Sequence, residues 1–268
     1  MYVVLTFSFF FTACQIFAQD TKEVNGRIGL LLDGGLTLHS ANFQTLPGVP
    51  SCCPRFESGS GLGINFGAYY DLPFSATVSF SLLLGYNNIG GKLTTTESTT
   101  VIVNDLPVAG EFQHTVDAKI SVVNLSPLLK YHLTNSWSVM GGPTISYVTS
   151  NTFTEKEELL KPEKQGTFNN GLRVRNEYSG ATPDASKILA GITVGTQYEL
   201  PLNETGSLHL IPQALFTYGI TPIVKGMSWQ AHSFAAGVSL QYTLFKQIPH
   251  VDTIPPPPPP SPPPPCHS

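Results

Sequence analysis

SFAAGVSLQYTL, residues 233–244, sorts its side chains by parity. Phe234, Ala236, Val238, Leu240, Tyr242 and Leu244 alternate with Ser233, Ala235, Gly237, Ser239, Gln241 and Thr243. A period of two places one set on each face of a β-strand, so one face is apolar and the other small or polar. The same alternation recurs about eight times, predicting strands near 27–39, 62–72, 78–86, 112–133, 137–149, 188–199, 208–218 and 233–244. Long connections near 40–61, 88–111 and 150–186, with a shorter one at 220–231, face short turns near 72–76, 133–136 and 201–206. A barrel closed within a membrane turns apolar side chains to lipid and polar ones inward, with long loops outside and short turns in the periplasm. The predicted fold is therefore all-β: an eight-stranded antiparallel up-and-down transmembrane β-barrel.

Composition agrees. Charged residues make up 12% of the 268 residues, about half of the ~25% usual in soluble domains. Mean hydropathy is only +0.05, and beyond the N-terminus no apolar run reaches the ~18–20 residues of a spanning helix. A net charge of −4 supplies no basic patch, so no nucleic-acid partner is expected.

The ends differ from the middle. Residues 1–18 (MYVVLTFSFFFTACQIFA) form the one long apolar run and read as a secretory signal, although the first basic residue, Lys22, follows it. A second reading is lipoprotein processing at Cys14 within FTAC. The barrel is assigned to 19–247. Residues 248–268 form a proline-rich periplasmic tail, in which 255–265 hold ten prolines and one serine. Such a run is an extended polyproline II spacer and cannot enter a sheet. A spacer leading to only three residues suggests a connector to a further domain. The adjacent pair Cys52–Cys53 reads either as a vicinal disulfide or as a loop turn.

One strand breaks phase. Val116, Ala118, Ile120 and Val122 share a face, yet from Val123 the apolar set becomes Val123, Leu125, Leu129 and Tyr131. A β-bulge near 122–124 would restore the register. Pro127, Pro143, Pro212 and Pro222 sit in or beside strands and remove ladder donors. EKEELLKPEK (155–164) reads as the solvated tip of the longest loop, and TTTES (94–98) as a hairpin extension above the membrane.

Eight strands enclose little more than their own side chains. The candidate inward polar network is Asp33, Asn65, Asp117, Lys119, Gln197, Glu199, His209, Gln213 and Gln241. It reads as a hydrogen-bonded plug, with a narrow pore as the competing state. The seven histidines lack ligand spacing, and no nucleophile elbow, phosphate loop or dinucleotide fingerprint occurs. Neither a cofactor, a metal nor enzymatic activity is expected.

Four stretches carry a family resemblance: VVNLSPLLKYHL (122–133), WSVMGGPTISYV (137–148), LHLIPQALFTYGIT (208–221) and HSFAAGVSLQYTLF (232–245). Together they resemble the outer-membrane β-barrel superfamily of OmpA-like and PorT-like barrel domains, over roughly 25–245. The resemblance implies residence in outer-membrane lipid. It also implies, through the proline-rich tail, contact with peptidoglycan or envelope proteins, by way of a peptidoglycan-binding domain of the OmpA-like kind expected to follow the tail. The expected role is structural or surface-interacting. The alternatives are a narrow porin or an accessory of a transport or secretion system, then a barrel enzyme such as a lipid-modifying one, which would need a Ser/His/Asp or similar cluster at one rim, and last a soluble lipocalin-type barrel with its apolar faces turned inward.

Overall fold

The computed structural model describes residues 23–49 and 54–246; the expected signal, the Cys52–Cys53 pair and the tail from Ile248 lie outside these. Eleven strands follow in chain order: β1 (Val24–Phe43), β2 (Phe56–Pro73), β3 (Val78–Asn88), β4 (Gly91–Val103), β5 (Leu106–His132), β6 (Trp137–Lys161), β7 (Val174–Ala181), β8 (Ile188–Tyr198), β9 (Leu200–Pro201), β10 (Leu208–Gly219) and β11 (Ser228–Phe245). Val24–Leu244 form the barrel unit; Glu23 and Lys246 belong to a second unit, in which the Lys246 amide donates to the Glu23 carbonyl at 2.8 Å.

Eight wall positions close the ring in the order β1–β2–β3–β5–β6–β8–β10–β11 and back to β1. Eleven strands fill eight positions because two positions are interrupted, one split into β3 and β4 and the other into β7, β8 and β9. β3 and β4 pair with β5 in one continuous register, from Val78↔Tyr131 through Asn88↔Ser121 and Gly91↔Ala118 to Val103↔Leu106. The two-residue turn Asn104–Asp105 has φ of 51° and 62°, the paired left-handed geometry that matches strand twist in a tight hairpin. β7 pairs with the upper half of β6 and β8 with the lower half. Between them the chain detours to bridge Ala185 with Val224. β9 continues β8 along β10.

The lipid belt is drawn by side chains that remain exposed. Tyr70, Tyr131, Trp137, Tyr198 and Tyr242 ring the short-turn end, and Tyr147, Tyr218 and Phe234 ring the other. Leucine, isoleucine and valine lie between them, among them Leu30, Leu32, Ile64, Leu84, Leu125, Ile192, Val194 and Leu240. Ten residues separate Trp137 from Tyr147. At ~3.3 Å per residue and a tilt near 40° they span about 25 Å, the height of an outer-membrane apolar band. β4, the upper parts of β5 and β6, and β7 rise beyond the belt as a four-stranded sheet. The spans expected as long loops, 88–111 and 150–186, are therefore largely strand. TTTES lies in β4, above the belt.

The expected bulge in β5 is not there. Even-numbered residues from Val116 through Lys130 face inward without interruption, while Val123, Leu125, Leu129 and Tyr131 face out. The chain keeps its phase and the surroundings change sign. Below Val122 the outer face meets lipid; above it the outer face meets water, and the inner face packs on an apolar core. The register shift at this height belongs to β6: Ser121 pairs Ser150 and Val122 pairs Val148, leaving Thr149 as the extra residue.

Proline marks a second irregularity. β5–β6 pairing runs to Leu125↔Ile145 and resumes at Leu129↔Gly141, so Pro127 and Pro143 fall opposite each other. Neither has an amide hydrogen to give. A Cβ on Gly142 would collide with the Pro127 carbonyl, so only glycine allows that close approach. Inside the wall at this seam, hydroxyls link Ser126 to Thr144 at 2.7 Å, Thr144 to Thr193 at 2.6 Å and Thr193 to Thr217 at 2.8 Å. The chain of hydroxyls ties β5, β6, β8 and β10 where the backbone ladder is incomplete. Pro212 lies where β10 passes from pairing with β8 to pairing with β9.

Candidate functional site

The interior is built in layers that follow the inward residues of β1. Near the short-turn end Arg27 stands 3.6 Å from Glu199, whose Oε1 also accepts from Gln197 Nε2 at 3.4 Å. Lys130 donates to Asp71 in a pair exposed by 1% and 0%. His132 is held between Ser79 at 2.8 Å and Ser138 at 2.9 Å. The Tyr69 hydroxyl meets Ser239 and donates to Gln241, both at 3.2 Å. Its ring lies over Gly29, where any Cβ would strike it.

An apolar layer crosses the lumen next: Leu31, Tyr69, Leu83, Leu128, Met140 and Leu215. Above it Asp33 accepts from Asn65 at 3.2 Å and from Gln213 at 3.0 and 3.1 Å. The outer mouth is then filled by a larger apolar core, including Phe43, Leu46, Phe56, Leu93, Val116, Ile120, Ile223 and Trp229. Phe43 packs at a tilt against both Phe56 and Trp229, with centroids 5.4 and 5.3 Å apart. The Trp229 indole donates to His39 Nδ1 at 3.0 Å.

Of the residues expected in an inward network, Asp33, Asn65 and Gln213 form one cluster, Gln197 and Glu199 join Arg27, and Gln241 joins Tyr69. His209 is half-buried opposite Gln241 in the β10–β11 register. Asp117 and Lys119 require correction: both are exposed on the outer face of β5. An inward position for them would require Val116, Ala118 and Ile120 to face lipid, whereas these three are buried. Those residues lie above the belt, where inward positions are apolar and outward ones are wet. Asp71, Lys130, Tyr69 and Arg27 were not anticipated. Lys130 carries the one usable signal, since it extends the even-numbered inward series Asn124, Ser126, Leu128.

The extension holds its own charged cluster. EKEELLKPEK is not a solvated tip: Glu155 and Glu157 are 4% and 3% exposed on the inner face of β6. Arg175 donates to Glu157 at 2.6 Å and lies 4.3 Å from the Phe168 ring and 5.2 Å from that of Phe112. His114 stands 3.4 Å from Glu97 and 3.7 Å from Glu157. Burial, reinforced by Glu157, pushes the Glu155 carboxyl up to about 7. Among the described residues no three His, Cys, Asp or Glu side chains are placed to share a metal ion.

Residues 17–225 match the outer membrane protein beta-barrel domain family. Similar solved structures include Ail, the attachment invasion locus protein of Yersinia pestis, at 7% identity and a TM-score of 0.31, covering 81% of this chain and 99% of that one. Neisserial surface protein A matches at 9% identity and TM-score 0.34, over 82% and 97% of the two chains. OprG from Pseudomonas aeruginosa matches at 11% and 0.30, over 84% and 99%. No curated protein matches the chain.

Proposed function

We propose, for a chain that belongs to the outer membrane protein beta-barrel domain family and so resides in the outer membrane, a non-conducting barrel that displays a β-sheet at the cell surface for interaction. The observation that carries this reading is the division of the strands. The belt-height halves of β5 and β6 form a filled wall, while their upper halves, with β4 and β7, continue past it. From Tyr147 to Lys161 that continuation is fourteen residues, about 46 Å of strand at ~3.3 Å each. An outward passage must cross the six-residue apolar layer and then the core around Trp229. The polar groups in these layers, the Tyr69 hydroxyl and the Trp229 indole, are already bonded to Ser239 and Gln241 and to His39, so neither is free to replace the hydration shell of an ion or sugar.

The role is structural and interactive rather than catalytic. Thr100→Cys, in a background with the native cysteines replaced, reports the display. An impermeant maleimide should label Thr100→Cys in intact cells, as it should an exposed control at Asp105→Cys. Labelling that requires permeabilisation would overturn the orientation and with it the surface role.

A further inference from the structure

At the short-turn end, which faces the periplasm in barrels of this kind, the interior opens as a bowl of about 480 Å³. That volume lies within the ~300–1,000 Å³ of small-molecule sites. Its walls mix apolar side chains, among them Val24, Pro73 and Leu133, with Arg27, His132 and Asn135.

Arg27 is the group whose chemistry is unspent. Its side chain is 20% exposed, and among the described residues its one charged partner is Glu199 at 3.6 Å, beyond hydrogen-bond length. Among the described residues the Arg27 guanidinium donates no hydrogen bond, although it carries five N–H donors. The neighbouring charges are already closed: Lys130 and Asp71 neutralise each other beneath the bowl, and His132 is engaged on both ring nitrogens. A largely buried cation with free donors calls for an acceptor that the described residues do not supply.

Glu199 limits what that acceptor can be. It lies just behind Arg27, 8% exposed at its side chain, and repels a second negative charge on any ligand. A singly charged carboxylate satisfies both conditions: it takes two parallel N–H bonds from the fork and leaves Arg27 shared with Glu199. The exposed Asn135 amide, free of side-chain partners among the described residues, stands on the same rim. Leu133, Val24 and Pro73 accommodate a small apolar substituent. We propose that this bowl is a periplasm-facing binding site for a monocarboxylate bearing a small apolar group, with Arg27 as its anchor. The carboxylate can belong to a free small acid or to the end of a peptide.

The test uses the full chain in lipid vesicles, titrated calorimetrically at neutral pH with sodium propionate, N-acetyl-alanyl-alanine, the C-terminal amide of that dipeptide, and inorganic phosphate. Both carboxylates should saturate, and the amide should not. Arg27→Gln should weaken binding about tenfold or more, with its heat-dependent gel shift unchanged. A tighter dipeptide than propionate assigns the site to peptide ends; equal affinities assign it to free acids. Glu199→Gln is the second variant and should tighten carboxylate binding. The proposal is overturned if neither carboxylate saturates, if phosphate binds as well as propionate, or if Arg27→Gln folds and binds like the native chain. It is equally overturned if Glu199→Gln leaves the affinity unchanged.

Discussion

Removing Lys130 should unfold this barrel more readily than removing any leucine of its lipid face. The ammonium and the Asp71 carboxylate are exposed by 1% and 0% and are each other's ion partner. The Tyr69 ring, 5.5 Å from Lys130 Nζ, adds a weaker contact to the cation. Lys130→Met therefore strands a carboxylate, one of whose oxygens, Oδ1, already lacks a partner. Breaking a buried pair from one side costs about 3–5 kcal/mol, or roughly two to three and a half decades in the unfolding equilibrium. Asp71→Asn should cost a similar amount by stranding the ammonium. The double variant removes both charges and should recover most of the loss, because replacing a whole buried pair is often close to neutral. Equilibrium unfolding in vesicles, followed by the fluorescence of Trp137 and Trp229 and by heat-dependent gel mobility, closes the cycle. A single substitution costing under about 1 kcal/mol, or two costs that simply add, would refute the pair as the electrostatic centre of the lower lumen.

Three further outcomes follow from other layers. Thr144→Val interrupts the hydroxyl chain beside the Pro127–Pro143 seam and should cost about 1–3 kcal/mol, while the exposed Thr152→Val should be near neutral in the same unfolding assay. Leu240→Arg, on the lipid face, should cost about 2–4 kcal/mol near midplane, whereas Asp117→Ala, above the belt, should stay within about 0.5 kcal/mol; similar costs at the two would contradict the belt's height. Glu155, raised to about 7 from 4.5, holds its proton more tightly folded than unfolded. Ionisation then opposes folding: extension stability is greatest below pH 4.5 and falls as pH rises towards 7. Protection of the β6–β7 amides, measured as exchange relative to the intrinsic rate at each pH, should be lower at pH 8 than at pH 5, and Glu155→Gln should remove that difference in protection.

The barrel was legible because lipid enforces a rule that water does not. Between the aromatic rings outward positions are predominantly apolar, so Phe234, Val238, Leu240 and Tyr242 announce their strand at a glance. The inward face follows by parity, which is how Asp33, Asn65, Gln213 and Gln241 could be assigned to the lumen without coordinates. The extension was not legible for the same reason. Above the belt the outward side is wet, so β4 spells itself in threonine and serine, and the apolar face of β5 changes sides. Alternation alone does not say which side of a sheet is dry. Asp117 and Lys119 were misplaced by carrying the lipid rule past Val122, and Glu155 and Glu157 by treating charge as a mark of exposure. Lys130 and Asp71 escaped notice because a buried ion pair needs two residues fifty-nine apart to meet across β3, a contact that no local spacing encodes.

Single-channel recording in planar bilayers tests the sealed lumen most directly. The native chain, inserted and shown folded by its gel shift, should give no steady conductance. Trp229→Gly and Leu128→Gly together, which hollow the upper core and the lower apolar layer, should introduce brief openings. A stable open state in the native chain that passes small sugars would contradict the account.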